Sequence, residues 1–170
     1  YLMLGICLSK EQQYEEAVLY LGKAEEENTD MYDRLGSMCN LAEVYLSMKE
    51  YEKAIDKCEQ ILAMDVGYYP AYLARQQAYF EMHNAQGVVD DYHRAVDIYP
   101  GYYKPYLLAA RVFLIYDQYK DAEQVMARAL ENQVEFSDQM RFLHAKTLRL
   151  LADNSEERQE PMRMLEELNN

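Results

Sequence analysis

The chain has 170 residues, half of them hydrophobic, so it can bury a core and fold as one domain. Six glycines and four prolines exclude a collagen-like chain and a disordered one. With 30 acidic and 17 basic residues the net charge is −13, which argues against nucleic acid and anionic membranes, because both require a basic protein surface. We therefore expect partners that are neutral or basic.

The first eight residues form the longest apolar run without a charge. This run is far too short to span a bilayer, and it has no basic flank, so it is a poor signal peptide. Three cysteines without a CxxC pair do not make a disulfide framework. They predict reduced, mostly buried thiols in a cytoplasmic protein.

Along the chain, apolar residues recur at steps of three and four, whereas alternating β-branched patterns are nearly absent. This periodicity predicts an all-helical fold of short helices. Ser137 followed by Asp138 is typical of a helix start. Turn-forming residues predict breaks between helices near residues 28–30, 67–70, 100–105, 137 and 153–155, with a last amphipathic segment at 161–168.

A fixed spacing relates several segments of the chain. Residues 69–73 match residues 103–107 at a step of 34, and residues 14–17 match residues 51–54 at a step of 37. Self-similarity at a fixed period of this length is typical of repeat architectures.

On these residues the chain resembles the tetratricopeptide repeat family, whose unit is a helix–turn–helix of about 34 residues. The resemblance implies an all-α fold, a right-handed α-solenoid of antiparallel helix pairs. It divides a single repeat domain, residues 1–170, into units of about 1–31, 35–68, 69–102 and 103–136, with a degenerate capping unit at 137–170. Positions that match the family pattern include Gly5, Ala17, Ala42, Ala54, Tyr72, Tyr79, Tyr92, Ala95, Tyr106, Ala110 and Ala122.

Small residues in this pattern predict where paired helices approach most closely. Gly5, Ala42 and Ala110 allow the second helix of each pair to come near, which produces ridges-into-grooves packing. In the third unit, Gln76 and Val88 replace small residues, and we expect that unit to pack more loosely.

The N-terminal segment, residues 1–4, is apolar on all sides. We expect the natural protein to continue upstream as part of a larger chain, because nothing polar caps this end of the repeats. The alternative interpretation of this apolar segment is that the chain associates with itself through it.

Catalytic and metal-binding patterns have little support. The histidines His83, His93 and His144 fall in different repeats, and neither an HExxH motif nor a phosphate-binding glycine loop is present. Cys58 occupies a packing position of the repeat. We therefore predict that the chain is not an enzyme and uses no cofactor or metal.

The resemblance implies a concave groove, lined by the first helices of successive repeats, that binds a peptide or a helical segment of a partner protein. The groove positions projected onto this chain include Asn40, Glu43, Leu73, Gln77, Phe80, Lys104, Leu107, Arg111 and Leu114. The expected function is a non-catalytic protein–protein interaction scaffold. Two alternatives stay open: a regulatory or recruiting segment of a larger enzyme or co-chaperone, and a self-assembly module.

One variant of the family clamps the C-terminal EEVD tail of chaperones through five polar or basic residues. Of those five, only Asn40 is kept in one register and only Lys104 in the other. The sequence therefore predicts no binding of a chaperone tail, because the charge-assisted donors are missing.

Overall fold

The structure, a computed structural model, describes residues 1–152. Over that range the chain forms nine α-helices and no strand, so the predicted all-α fold is confirmed. The predicted break at 153–155 and the segment 161–168 lie outside the described residues. The helices are α1 (Leu2–Lys10), α2 (Tyr14–Glu27), α3 (Met31–Ser47), α4 (Tyr51–Met64), α5 (Tyr69–Glu81), α6 (Ala85–Ile98), α7 (Tyr103–Ile115), α8 (Tyr119–Glu131) and α9 (Asp138–Leu151).

Local chemistry marks the starts of four of the described helices. Ser137 caps α9 as predicted, since its side chain accepts a hydrogen bond from the Met140 backbone N–H, and Asp30 caps α3 in the same way. Pro70 and Pro105 lie in the first turns of α5 and α7, where a missing N–H costs no intrahelical hydrogen bond.

The described helices fall into two compact units, Tyr1–Gly87 (unit 1) and Val88–Asn170 (unit 2). In unit 1 each helix from α1 to α5 packs on the next, and the first helices α1, α3 and α5 also contact one another in series. In unit 2, α7 packs on α8, α8 packs on α9, and the first helices α7 and α9 are in contact. The division of the whole chain into five repeats stays a prediction.

Each of four helix pairs is joined by a turn with the same backbone geometry. A residue with positive φ recurs at Gln12, Lys49, His83 and Asp117. The backbone N–H of the next residue donates a hydrogen bond to a carbonyl in the last turn of the first helix, as Gln118 N–H does to the Phe113 carbonyl at 2.8 Å. This arrangement satisfies carbonyl groups that would otherwise lack partners at the helix end. None of these residues is glycine, so each turn carries a steric cost.

Gln12→Gly is expected to raise the free energy of unfolding by about 0.5–1 kcal/mol, because glycine adopts positive φ without steric cost. Gln13→Gly is the matched control: it is also an exposed glutamine, but its φ is −87°. Urea denaturation followed by circular dichroism measures both variants. An equal gain at both positions would contradict the assignment of strain to Gln12.

Gly5 shows why the helix pairs need small residues. A Cβ at this position would lie 2.6 Å from Cγ of Leu21 on α2, and 3.2 Å from the Leu21 backbone N. The other small residues of the pattern are also fully buried: Ala17, Ala42, Ala54, Ala110 and Ala122. The backbones therefore approach so closely that larger side chains would separate them.

Two helical glycines of unit 1 test this packing. Gly5→Ala should lower the free energy of unfolding by about 1–3 kcal/mol, because the new methyl group overlaps Leu21. Gly22→Ala should raise it by about 0.5–1 kcal/mol, since alanine favours the helix and nothing lies within 4 Å of the added Cβ. Thermal and urea unfolding give both values, and the same sign for both variants would exclude a steric role for Gly5.

The repeat pattern also places tyrosines in the core. Tyr72, Tyr92 and Tyr106 are buried, while Tyr45 and Tyr79 are half-buried. The hydroxyl groups of Tyr72 and Tyr106 make the same bond, each donating to a backbone carbonyl six residues earlier, at 3.0 Å and 2.8 Å. These bonds fasten the loop between successive pairs to the following first helix in each unit.

The turn of the third pair brings a glycine close to an aromatic ring. Gly87 lies against the ring of Tyr79, and a Cβ at Gly87 would come within 2.6 Å of that ring. Gln76, which replaces a small residue of the pattern, is fully buried. At this turn the packing is tight, while the looser packing expected of the third unit as a whole stays a prediction.

Ion pairs link the second helices of neighbouring pairs. In unit 1, Lys57 Nζ on α4 lies 3.1 and 3.0 Å from the two carboxylate oxygens of Glu25 on α2. In unit 2, Arg128 on α8 lies 3.1 Å from Asp97 on α6. The second helices thus satisfy part of their charge within the fold.

Candidate functional site

The groove residues predicted on unit 1 lie on α3 and α5, which pack side by side. Leu73 and Phe80 are half-buried, and Glu43 is exposed. Asn40 is half-buried, and its amide donates to the Gly36 carbonyl at 2.7 Å. Gln77 donates to the Glu81 carboxylate at 2.7 Å. The result is a first-helix surface with apolar side chains between polar groups that carry negative or no charge.

A small electrostatic cluster lies beside this surface. Burial, with a smaller contribution from the Glu43 carboxylate, raises the pKa of the Cys39 thiol to about 12. Burial also raises the pKa of the Tyr68 hydroxyl, to which Cys39, Asp65 and Glu43 contribute. Cys39 therefore stays a protonated thiol at neutral pH and is unsuited to nucleophilic chemistry.

The groove residues predicted on unit 2 all lie on α7, and their exposure differs. Lys104 and Arg111 are exposed, and Leu114 is half-buried. The Lys104 ammonium group lies 5.9 Å from the ring centroid of Tyr102. Leu107 is only 7% exposed and packs in the core of unit 2, so it offers almost no surface to a ligand.

Helix α9 extends the first-helix surface of unit 2, and sequence reasoning missed its contribution. Ala145 on α9 is fully buried like Ala110 on α7, which aligns the two helices at a step of 35. This step relates Arg111 to Lys146. The corresponding face of α9 then carries Phe142, Lys146, Arg149 and Leu150. In the sequence, the small residues Ala110 and Ala145 were the signal that could have extended the set of predicted surface positions to α9.

Residues considered for catalysis are dispersed among the described residues. His83 lies in the third turn and His93 is exposed on α6, whereas His144 lies on α9, with its ring 5.7 Å from that of Phe136. Cys58 is fully buried in the core of unit 1, as predicted. Residues 1–152 contain no group of three histidine, cysteine or carboxylate side chains that could hold a metal ion.

The geometry describes an all-helical repeat protein whose first helices carry a mixed apolar and polar surface. Residues 37–67 match the family model described as tetratricopeptide repeat. No curated protein sequence matches the chain. Within residues 1–152, no helix has both the length and the apolar character that a membrane span requires.

Solved structures share the fold over nearly the whole chain. MamA from Desulfovibrio magneticus RS-1, from its residue 41 to the end, has a TM-score of 0.78 and 14% identity, covering 98% of this chain and 91% of that one. Another crystal structure of MamA has a TM-score of 0.78 and 14% identity over 99% and 94%. A thermophilic TPR protein from Thermus thermophilus has a TM-score of 0.67 and 19% identity over 98% and 89%.

The family match over residues 37–67 and the fold shared with a solved TPR protein confirm the predicted resemblance to the tetratricopeptide repeat family. The predicted all-α, TPR-like solenoid is thereby confirmed. At identities of 14% to 19% these solved structures establish the fold and do not identify a binding partner for this chain.

His144 gives a pH prediction for unit 2. Burial lowers its pKa below the usual 6.5, partly offset by the nearby Glu123 carboxylate. The unfolded chain therefore binds the proton more readily, so the stability contributed by neutral His144 is complete above about pH 6.5 and falls as the pH drops through the lowered pKa.

Urea denaturation between about pH 5 and pH 8 measures this effect as a difference between proteins. His144→Gln should flatten the loss of stability on the acid side, because glutamine does not titrate. His83→Gln, at an exposed turn position, should retain the slope of the unmodified chain. An unchanged slope in His144→Gln would rule out His144 as its source.

Proposed function

We propose that this chain is a non-catalytic protein-interaction scaffold whose first-helix surfaces bind a peptide or helical segment of a partner. The observation that carries the proposal is the unit 1 surface. There, half-buried Leu73 and Phe80 alternate with Asn40, Glu43 and Gln77 on two packed helices. Apolar burial would supply affinity, and the polar groups would set the register of the bound segment.

The charge of the unit 1 surface favours a neutral or basic segment. Helices α3 and α5 together carry two basic residues, Arg34 and Arg75, against three acidic ones, Asp33, Glu43 and Glu81. An exposed carboxylate such as Glu43 repels acidic ligands and attracts basic ones, mainly through the association rate.

A chaperone EEVD tail is not the proposed ligand. Asn40 is one of the two clamp residues that the chain keeps, and one N–H of its amide donates to the Gly36 carbonyl. In the other register, which keeps Lys104, Glu43 stands where the clamp requires a polar donor. A terminal carboxylate would therefore meet a negative charge in place of hydrogen-bond donors.

We also propose a cytoplasmic location and neither nucleic acid nor membrane as partner. The thiols of Cys39 and Cys58 are buried and unbridged, and Cys7 is exposed and unbridged as well. Unbridged cysteines are typical of a reducing compartment. The net charge of −13 disfavours polyanionic partners as a class.

Self-association is the second candidate, favoured by the exposure of α1. Tyr1, Met3 and Leu4 are 56%, 71% and 45% exposed, so this helix presents apolar surface to solvent. Sedimentation velocity over a range of concentrations would detect a dimer, and Met3→Lys should weaken it.

Selection from a displayed library of random peptides of about 16 residues against the full chain tests the proposed function. Peptides that bind should be apolar with neutral or basic residues, and their affinity should fall at least about tenfold in Phe80→Ala and in Glu43→Arg. Both positions lie on the first-helix surface of unit 1.

Two variants on second helices of unit 1 serve as matched controls. Leu19→Ala removes an exposed apolar side chain from α2, and Glu52→Arg reverses an exposed charge on α4. Circular dichroism confirms that each variant is folded. If the controls reduce binding as much as Phe80→Ala and Glu43→Arg do, the first-helix surface is not the binding site.

A further inference from the structure

Glu43 is an exposed carboxylate on α3 without a partner among the described residues. Within residues 1–152 its side chain makes neither an ion pair nor a hydrogen bond, whereas Glu81 on α5 accepts a hydrogen bond from Gln77 at 2.7 Å. Glu43 therefore places a negative charge on the first-helix surface of unit 1 that no contact within this part of the chain neutralises.

The two basic residues of α3 and α5 do not balance this charge. Arg75 on α5 lies 3.9 Å from Glu59 on α4, so its guanidinium group is engaged by a second helix. Arg34 precedes Glu43 by nine residues on α3, which corresponds to about 13 Å along the helix axis. A salt bridge requires a much shorter distance between the charged groups.

The ionisable groups on which the Glu43 charge acts carry no positive charge. They are the Cys39 thiol and the Tyr68 hydroxyl, and both keep their protons at neutral pH because burial raises the pKa of each group. Asp65 also acts on Tyr68 and adds a second negative charge nearby. A cation supplied by a ligand would therefore meet a negative potential at this point of the surface.

Apolar side chains accompany Glu43 on the two packed helices α3 and α5. Leu46, one turn after Glu43, is half-buried and packs against the core of unit 1. Leu73 and Phe80 on α5 are half-buried as well. A ligand that covers these apolar side chains also removes water from the Glu43 carboxylate, and a charge without a partner is costly to desolvate.

The register of the two helices aligns Glu43 with a position between the apolar side chains of α5. Positive-φ turn residues follow α3 and α5 at a step of 34, and the same step relates Glu43 to Gln77. Leu73 lies four residues before Gln77 and Phe80 lies three after it, so each is about one helical turn away. The surface thus offers apolar contacts about one turn to either side of the carboxylate.

We propose that Glu43 selects an arginine side chain at the centre of an amphipathic helical segment of a partner protein. The segment carries apolar residues one turn before and one turn after this arginine, which matches the spacing on α5. A guanidinium group binds a carboxylate through two parallel hydrogen bonds and is less strongly hydrated than an ammonium group, so arginine fits better than lysine. The proposal rests on the proposed function and adds the side chain that its surface recognises.

Desolvation makes Glu43 discriminate against ligands that lack the cation. A segment with a neutral residue at its centre covers the carboxylate and leaves it unpaired, and a segment with glutamate there adds repulsion. Specificity therefore comes from a penalty on the wrong segments as well as from attraction of the right one.

A displayed library of helical peptides of about 16 residues tests this on the full chain. All members share an uncharged polar background, and three positions on one face, separated by four and three residues, are randomised. Selection should enrich apolar residues at the two outer positions and arginine at the central one. On Glu43→Gln the apolar preference should remain, and the arginine preference should be lost.

Affinities of the selected peptide measure the pairing directly. Replacing its central arginine with glutamine should weaken binding to the unmodified chain at least about tenfold, and replacing it with lysine should cost less. On Glu43→Gln the change from arginine to glutamine should alter binding by less than about twofold, because the pairing is already absent. Glu52→Gln is the matched control, since it removes one charge from an exposed glutamate of α4, and it should keep the full difference.

Four outcomes would overturn the proposal. These are no enrichment of arginine at the central position, an arginine preference that persists in Glu43→Gln, an equal loss of that preference in Glu52→Gln, and a self-association of the chain that Glu43→Gln abolishes. If apolar residues are enriched and their enrichment is lost in Phe80→Ala, while arginine is not enriched, only the arginine proposal fails. If the library yields no binding peptide at all, the proposed function fails with it.

Discussion

The close approach of the paired helices α1 and α2, α3 and α4, and α7 and α8 is the constraint on which the rest of this structure depends. At Gly5 no room is left for a Cβ beside Leu21, and the equivalent alanines of the second and fourth pairs, Ala42 and Ala110, are fully buried. A helix pair packed this closely still has apolar surface on its outer faces, which only the next pair can cover. The order α1 to α5 in unit 1, and α7 to α9 in unit 2, follows from that requirement.

The stacking of helix pairs determines which side chains of the first helices are buried and which are exposed to solvent. Leu35 and Ala42 are buried in the core of unit 1, and Leu107 is buried in the core of unit 2. Residues that directly follow buried positions, such as Glu43 after Ala42 and Arg111 after Ala110, are exposed. The same packing that holds the helices together leaves these side chains exposed, and substitutions of exposed side chains cost little stability.

The first helices of the two units differ in charge. Helices α3 and α5 of unit 1 carry two basic and three acidic residues, whereas α7 and α9 of unit 2 carry more basic than acidic residues. The net charge of −13 averages over these regions and conceals the difference. A global charge describes long-range steering, but recognition at contact depends on the side chains within about a Debye length.

The sequence by itself determined the all-helical fold, the approximate breaks near residues 28–30, 67–70, 100–105 and 137, and the small residues of the repeat, because these depend on local periodicity, capping and side-chain size. It located Ser137 as a cap and Cys58 in the core. It did not show that Leu107 is buried or that Gly87 packs against the ring of Tyr79. Those facts depend on which helix lies against which, and only the tertiary structure decides that, because contacts between distant residues have no signature in local pattern.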